Sequence, residues 1–321
     1  MNVNDSPQPQ AATTVAILGA GTIGANWAAF FALRGLQVRV ADPAPHAAAA
    51  VATALERARP AMAALGQLAS QPTLPTVVTD VAQAVQGADH IQDALPEDLE
   101  LKRRVYAQVE AVASPRALIA SSSSGLLPSQ LQEGLLHPER LLVAHPNNPP
   151  YLMPLVELVG GRQTATWAMD EAEAFYRALG KQTVRLRREV TGHIVNRLQA
   201  ALWREAVHLV AEGYASVADV DLVVTEGLGA RWAVCGPHQI FHLSGGDQGM
   251  AGFIDRLGPA VHSWWADLGS PQLDEATCRT LIEGMAQATG GRSYAELARA
   301  RDEQVIALLA TRRQARELSQ D

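Results

Sequence analysis

The sequence lacks most of the features that mark metal-binding, membrane and nucleic-acid-binding proteins. Its 321 residues include only two cysteines, Cys235 and Cys278, which fit neither a metal-ligand spacing nor a disulfide framework. We therefore expect no metal site and a reducing, cytoplasmic location. It contains no run of about 18 apolar residues, so we expect no membrane span. The formal net charge of −7 argues against a nucleic-acid partner, because such proteins present a basic surface.

Short apolar runs alternate with helical segments between residues 13 and 189. This alternation predicts an α/β fold with a Rossmann-type, doubly wound and mostly parallel sheet. Residues 190–321 read as long helical stretches, which predicts an all-helical second domain. Residues 1–12 are polar, contain proline and lack the apolar core of a signal peptide, so we expect a disordered tail there.

The segment GAGTIG follows one apolar run and opens a helical segment, which is the setting of a dinucleotide-binding turn. The predicted cofactor-binding residues of this turn are Gly19, Gly21, Thr22, Ile23 and Gly24. The first glycine permits the tight turn, the second lets the backbone approach a pyrophosphate, and the third lets helix and strand pack closely. Asp42 ends the next strand, where a carboxylate bonds a ribose 2′-hydroxyl and repels a 2′-phosphate. With Pro43 after it instead of an arginine, the pattern predicts NAD.

The stretch AHPNNPPYLMPLVELVGG, residues 144–161, indicates a catalytic base. It places His145 twelve residues before Glu157, with a proline-rich turn between two apolar runs. A strand, a turn and a second strand of that length can bring the imidazole and the carboxylate together. An unpaired carboxylate in the run PLVELVG would be costly to bury, and pairing with the imidazole removes that cost. Such a pair makes a base that works near neutral pH, whereas a lone histidine there is more often structural.

Four further features each allow a structural and a functional interpretation. SSSSG, residues 121–125, is either a polar loop or a set of hydroxyls beside a nicotinamide. Asn196 is either a capping amide or a functional one. Arg231 is either a surface ion-pair partner or the anchor of a substrate carboxylate, since a guanidinium grips both oxygens. Four of the six tryptophans, Trp232 among them, lie in the helical half and either pack helices or cage a quaternary ammonium.

Several long segments resemble one enzyme family along nearly the whole chain. They are IQDALPEDLELKRRVYAQ, SSSSGLLPSQL, AHPNNPPYLMPLVELV, VNRLQAALWREAVHLV and EGLGARWAVCGP. The chain resembles the 3-hydroxyacyl-CoA dehydrogenase superfamily, and within it most of all the L-gulonate 3-dehydrogenase branch, which includes lambda-crystallin, and the L-carnitine dehydrogenase branch. The resemblance implies that His145 is the catalytic base and Glu157 its partner, and that the helical domain forms a homodimer interface.

The same resemblance implies roles for other positions. Ser124 and Asn196 match the residues that bond the substrate oxygen. Further matches are Asn148 in the His-x-x-Asn-Pro segment, Glu97 and Lys102 around the cofactor, and Ser122 near the nicotinamide amide. Asn147 departs from the family, which usually carries an apolar residue at this position bordering the substrate. This departure allows a more polar ligand.

The substrate is predicted from charge and from local resemblance. Residues 44–79 contain no lysine and only two arginines, Arg57 and Arg59, which argues against binding of CoA phosphates. GPHQIFH and ELKRRVYAQ favour a gulonate dehydrogenase, whereas Trp203, Trp232 and GGDQGM favour a carnitine dehydrogenase. We predict NAD-dependent oxidation of the 3-hydroxyl of a small polar, L-gulonate-like 3-hydroxy acid to the 3-keto acid. The alternatives are L-carnitine, a 3-hydroxyacyl-CoA, and a non-catalytic, crystallin-like NAD-binding protein.

Overall fold

The computed structural model describes residues 13–318, so the predicted disordered tail at residues 1–12 lies outside the described residues. The chain divides into two compact units. The first runs from residue 13 to Arg197 and also includes Arg301–Arg313, and the second contains Leu198–Ala300 and residues 314–318. The domain boundary near Glu189 stays a prediction. The inclusion of part of the last helix in the first unit had no counterpart in the local sequence pattern.

The first unit is built on one eight-stranded sheet. Its strands are β1 (Thr14–Leu18), β2 (Gln37–Ala41), β3 (Thr76–Val78), β4 (His90–Asp93), β5 (Leu118–Ser121), β6 (Leu141–Pro146), β7 (Leu155–Gly160) and β8 (Gln182–Arg185). Their order is β3-β2-β1-β4-β5-β6-β7-β8. Neighbouring strands are parallel except β6 and β7, which are antiparallel. The predicted fold class, a mostly parallel Rossmann-type sheet followed by helices, is confirmed.

Helices cover both faces of this sheet. They are α1 (Thr22–Leu33), α2 (Ala47–Ala64), α3 (Val81–Val85), α4 (Leu99–Glu110), α5 (Pro128–Leu131) and α6 (Thr166–Ala178), with a 3-10 turn at Pro138–Arg140. Alternate residues of β1 face opposite sides, so Val15 packs in one core with α1, α2 and α6, and Ala16 packs in the other with α3 and α4. Because both faces are covered, the sequences of the central strands are continuous apolar runs and do not alternate between apolar and polar residues.

The remaining elements are helical. They are α7 (Val195–Ala211), α8 (Val217–Leu222), a π-helix (Val223–Gly229), α9 (Ala230–Trp232), α10 (Pro237–Ser244), a 3-10 turn (Gly246–Gln248), α11 (Gly249–Asp267), α12 (Glu275–Thr289) and α13 (Tyr294–Leu318). Among residues 13–318 no helix is long and apolar enough to cross a membrane.

Candidate active site

The antiparallel pairing of β6 with β7 brings His145 and Glu157 together. The two residues stand directly opposite each other in the register of the strands. His145 Nδ1 lies 2.9 Å from Glu157 Oε2, and the two residues are only 5% and 1% exposed. Because a carboxylate accepts a hydrogen bond, this contact places the ring proton on Nδ1 and leaves Nε2 free to accept a proton.

The other oxygen of Glu157 is held by the start of helix α7. Glu157 Oε1 accepts hydrogen bonds from the backbone amides of Ile194, at 2.8 Å, and Val195, at 3.1 Å. Burial raises the pKa of Glu157, but the hydrogen bonds from His145 and from the two amides outweigh it and bring the pKa below its ordinary value. The carboxylate therefore stays ionised and can stabilise a positive charge on the imidazole.

The loop after β5 brings a hydroxyl, and the start of helix α7 brings a side-chain amide, close to this pair. Ser124 Oγ lies 3.3 Å from His145 Nε2. Asn196 Nδ2 donates to the Ser124 carbonyl at 3.3 Å. Glu97 fixes the next turn of the loop, because its Oε1 accepts from the amides of Gly125 and Leu126 at 2.7 and 2.9 Å. The predicted Ser124 thus lies beside the histidine, the predicted Asn196 bonds the backbone of that serine, and Glu97 holds the loop that carries Ser124.

A second histidine, His193, packs against this cluster and was missed from the sequence. Its ring centroid lies 5.1 Å from that of His145, its side chain is fully buried, and its Nε2 donates to the Ser123 carbonyl at 3.0 Å. A histidine in the turn TGHI has no partner that sequence spacing reveals. The available signals were the preceding Gly192, which indicates a turn, and the proximity of Asn196 in the chain.

The glycine turn has the geometry that a dinucleotide requires. Gly19 has φ +95°, a conformation that favours glycine. A Cβ on Gly24 would lie 1.9 Å from the Gly19 carbonyl oxygen, so only glycine allows α1 to pack this closely on β1. A Cβ on Gly21 would meet nothing within 4 Å, so the chain there borders open space at the helix N-terminus. Backbone amides at a helix N-terminus suit a phosphate.

Asp42 lies beside this turn at the end of β2. Its Oδ2 accepts from the Ala20 amide at 2.6 Å and its Oδ1 accepts from the Ala44 amide at 2.8 Å, which fixes the carboxylate at the cavity wall. The cavity has a volume of about 690 Å³. It is lined by Leu18, Gly19, Ala20, Gly21, Thr22, Ile23, Ala41, Asp42, Pro43, His46, Thr79, Val81, Ala94, Leu95, Pro96, Leu101, Val105 and Gln108. The residues present fit a dinucleotide with an unmodified ribose 2′-hydroxyl.

Lys102 does not belong to that cavity wall. Its side chain is 1% exposed, and Nζ donates to Asp93 Oδ2 at 2.7 Å and to the Leu95 carbonyl at 3.1 Å. The Tyr106 hydroxyl donates to the same carboxylate oxygen at 2.6 Å. The lysine therefore supports the loop after β4, whose Leu95 lines the cavity, and its expected place around the cofactor stays a prediction.

The residues predicted near the nicotinamide and the substrate follow β5 and β6. Ser122 Oγ accepts from Trp27 Nε1 at 3.2 Å and from Gln92 Nε2 at 2.9 Å, so two buried side chains fix its hydroxyl. Asn147, which is half-buried, and Asn148, which is exposed, directly follow β6. Both asparagines therefore directly follow the strand that carries His145.

Two predicted substrate residues lie in the second unit. Arg231 and Trp232 form the short helix α9 that follows the π-helix Val223–Gly229, and both are exposed. A π-helix is rare and is often found at functional sites.

In the described part of the chain, no group of three or more His, Cys, Asp or Glu residues is placed to hold a metal ion.

Comparison with known families matches most of the chain. Residues 14–190 match the NAD binding domain of 3-hydroxyacyl-CoA dehydrogenase, and residues 192–275 match the C-terminal domain of the same family.

Individual proteins are similar over nearly the full length. An L-carnitine dehydrogenase of Nocardiopsis dassonvillei is 45% identical over 310 residues, which is 96% of this chain and 94% of that protein. An L-carnitine dehydrogenase of Pseudomonas aeruginosa is 43% identical over 94% of each chain. Among solved structures, 5-formyl-3-hydroxy-2-methylpyridine 4-carboxylic acid 5-dehydrogenase, an NAD+-dependent dismutase, has a TM-score of 0.80 at 29% identity, covering 94% of this chain and 98% of that one.

Proposed function

Because the chain belongs to the 3-hydroxyacyl-CoA dehydrogenase family and is an NAD-dependent dehydrogenase acting on CH–OH groups, we propose that it oxidises the 3-hydroxyl of L-carnitine to the 3-keto acid. The observation that carries the chemistry is the 2.9 Å contact between His145 Nδ1 and Glu157. Sequence patterning ranked an L-gulonate-like acid first and L-carnitine second. The first six relatives are all L-carnitine dehydrogenases, at 43–46% identity, and they favour L-carnitine over L-gulonate.

In this proposal the cluster around His145 removes the hydroxyl proton of the substrate. His145 Nε2 accepts the proton, and the ionised Glu157 stabilises the imidazolium that results. Ser124 Oγ, 3.3 Å from Nε2, and the Asn196 amide hold the substrate oxygen as negative charge develops on it. The glycine turn and Asp42 hold NAD, which when bound supplies the hydride acceptor.

The two ends of L-carnitine call for two kinds of side chain. A carboxylate suits a guanidinium, and we assign Arg231 to it. A trimethylammonium group suits the face of an aromatic ring, and Trp232 is our candidate. L-gulonate remains the second candidate because GPHQIFH resembles the gulonate branch, and this acid has a carboxylate but no cation. The substrates therefore differ in their need for an aromatic face.

A substrate panel tests the proposal. Purified protein with NAD is offered L-carnitine, L-gulonate, 3-hydroxybutyrate, 3-hydroxybutyryl-CoA and 3-hydroxy-5,5-dimethylhexanoate, and NADH is followed by its absorbance. The last compound has the shape of carnitine without the positive charge. We expect the highest kcat/KM for L-carnitine and a loss of about tenfold or more for the uncharged analogue, from the missing cation–π attraction. A preference for gulonate or for the CoA ester would contradict the substrate assignment.

The variant His145→Ala tests the base. General-base catalysis contributes about 10²–10⁴-fold, so kcat should fall by that factor. NAD binding, measured by calorimetry, should stay within twofold, because the glycine turn and Asp42 are untouched. Wild-type turnover by the variant would remove the base assignment and leave the family intact.

Two further assignments accompany the proposed activity. We propose a homodimer formed through the helical unit, supported by the many exposed apolar side chains there. We also keep the cytoplasmic location predicted from the low cysteine content.

A further inference from the structure

Four consecutive residues, His193 to Asn196, form hydrogen bonds both to the serine loop and to the Glu157 carboxylate. The His193 ring binds the Ser123 carbonyl, and the Asn196 amide binds the next carbonyl along the same loop. The amides of Ile194 and Val195 bind the Glu157 carboxylate. One short segment therefore holds both the loop that carries the Ser124 hydroxyl and the carboxylate that orients His145.

The chemical state of the His193 ring follows from its partners. Nε2 faces a carbonyl oxygen, which only accepts, so Nε2 carries a proton. Nδ1 is buried and has no hydrogen-bond partner among residues 13–318, so a proton there would be an unpaired buried donor. Burial lowers the pKa of His193; the Ser123 carbonyl, Glu157 and Glu97 raise it and a charge on His145 lowers it, with a net lowering. The ring is therefore a neutral donor beside the base.

The backbone of this segment is held in an uncommon conformation. Gly192 has φ +77° and His193 has φ +50°, and the His193 amide donates to the Val190 carbonyl at 3.0 Å. A non-glycine residue in the left-handed region costs free energy, and the cost persists where the surroundings hold it. Here the tight turn directs the next two amides at Glu157. The strained residue is the same one whose ring reaches the serine loop.

We propose that His193 is a positioning residue that keeps the Ser124 hydroxyl and the Glu157 carboxylate aligned on His145. This inference rests on the proposed dehydrogenase activity. His193 does not touch the substrate in this scheme. It acts through its N–H donor to Ser123 and through the turn that it forms.

Two substitutions of His193 separate the effect of its N–H donor from the effect of its ring shape. His193→Phe keeps a planar ring but loses the N–H, whereas His193→Gln places an amide N–H near the Nε2 position. Neither residue favours a positive φ, so both variants carry a similar backbone cost. We expect His193→Phe to lower kcat about tenfold, the upper end for one neutral hydrogen bond, and His193→Gln to keep most of it. The KM for NAD should match between the two variants, whereas the melting temperature of His193→Phe should be the lower of the two, because the buried Ser123 carbonyl loses its donor.

A double-mutant cycle with Ser124→Ala shows whether the effect passes through the serine loop. If His193 positions that hydroxyl, adding His193→Phe to Ser124→Ala should cost much less than His193→Phe costs alone. His137→Phe, at a half-buried histidine outside the cluster, should leave kcat unchanged. Additive losses in the cycle, or equal loss in the Phe and Gln variants, would overturn the inference.

A spectroscopic measurement keeps this inference separate from the proposed activity. The His145 Nδ1 proton in its hydrogen bond to Glu157 should give a low-field NMR signal, assigned by its absence in His145→Ala. We expect the signal in wild type and in His193→Gln, and a broadened or missing signal in His193→Phe. An unchanged signal in His193→Phe would overturn the positioning role, whatever substrate the enzyme uses. If no hydroxy acid is oxidised but the signal behaves as expected, the proposed function fails and the positioning role stands.

Discussion

At the scale of single residues, two buried carboxylates show how the proposed catalytic pair differs from a structural one. Glu110 accepts hydrogen bonds from the amides of Leu136 and His137, both at 2.8 Å, and lies 3.6 Å from the Arg140 guanidinium. Glu157 is likewise held by two amides, but its third partner is an imidazole. An arginine is charged at all times, whereas a histidine gains charge only when it accepts a proton. In the proposed mechanism, Glu157 therefore stabilises a positive charge that arises on the imidazole during the reaction.

Glu157→Gln should weaken the stabilisation of the His145 imidazolium. The neutral amide lacks the negative charge that stabilises an imidazolium, so kcat/KM should fall on the order of 10²-fold or more. The acidic limb of the kcat/KM profile should also shift, which is measured by NADH production from pH 5 to 9.

Glu110→Gln provides the matched control for that experiment. It also removes a buried carboxylate held by two amides, so it should lower the free energy of unfolding yet leave the pH profile unchanged. Equal effects of the two substitutions on activity would contradict a special role for Glu157.

Since the pKa of Glu157 is lowered in the fold, its contribution to stability is present above its unfolded pKa and is lost as pH falls through its folded value.

At the scale of elements, the sequence pattern predicted those features that residues close together in the chain determine. The β6–β7 pair was predictable because two apolar runs flank a proline-rich turn, and an antiparallel register then places His145 opposite Glu157. The return of Arg301–Arg313 to the first unit was not predictable. It depends on contacts between residues far apart in the chain, such as the Tyr151 hydroxyl donating to Asp302 at 2.9 Å. His193 was missed for the same reason, because its partners come from a different loop.

The connection between β6 and β7 is itself held by a buried lysine. Lys181 Nζ donates to the Pro150 and Met153 carbonyls and lies 4.0 Å from the Phe30 ring centroid. Burial, and to a lesser degree the charge of Arg34, lowers the pKa of Lys181 to about 7. The loop that follows His145 is thus tied to α1 by a group that titrates near neutral pH.

The titration of Lys181 can be measured directly, because the chain has only two lysines, Lys102 and Lys181. With isotopically labelled lysine, the signal absent from Lys181→Met should titrate near pH 7. The folded pKa lies below the unfolded value, so the unfolded state holds a proton that the folded state has released. The free energy of unfolding of wild type relative to Lys181→Met should therefore rise between pH 7 and 9, by at most about 1.4 kcal/mol per pH unit. A difference independent of pH would contradict the titration.

At the scale of the whole molecule, the second unit has little apolar core of its own in a single copy of the chain. Among its described residues only three apolar side chains are buried, Val207, Val210 and Phe253. Trp264 and Trp265 are 60% and 67% exposed. Amphipathic helices are stable when their apolar faces are covered, and large exposed apolar surfaces mark interaction sites. A second copy of the same chain would cover them with a surface of the same composition.

The proposed homodimer predicts a doubled mass in solution and a surface at which substitutions disrupt it. Sedimentation of the wild type at micromolar concentrations should give twice the chain mass, whereas Trp264→Glu with Trp265→Glu should give a monomer, because burying two carboxylates in an apolar interface is costly. Leu136→Glu in the first unit, at a residue that is 78% exposed, is the matched control and should stay dimeric. A monomeric wild type would contradict the proposal. A tryptophan variant that stays dimeric but has a higher KM for L-carnitine would instead place the two rings at the substrate cation.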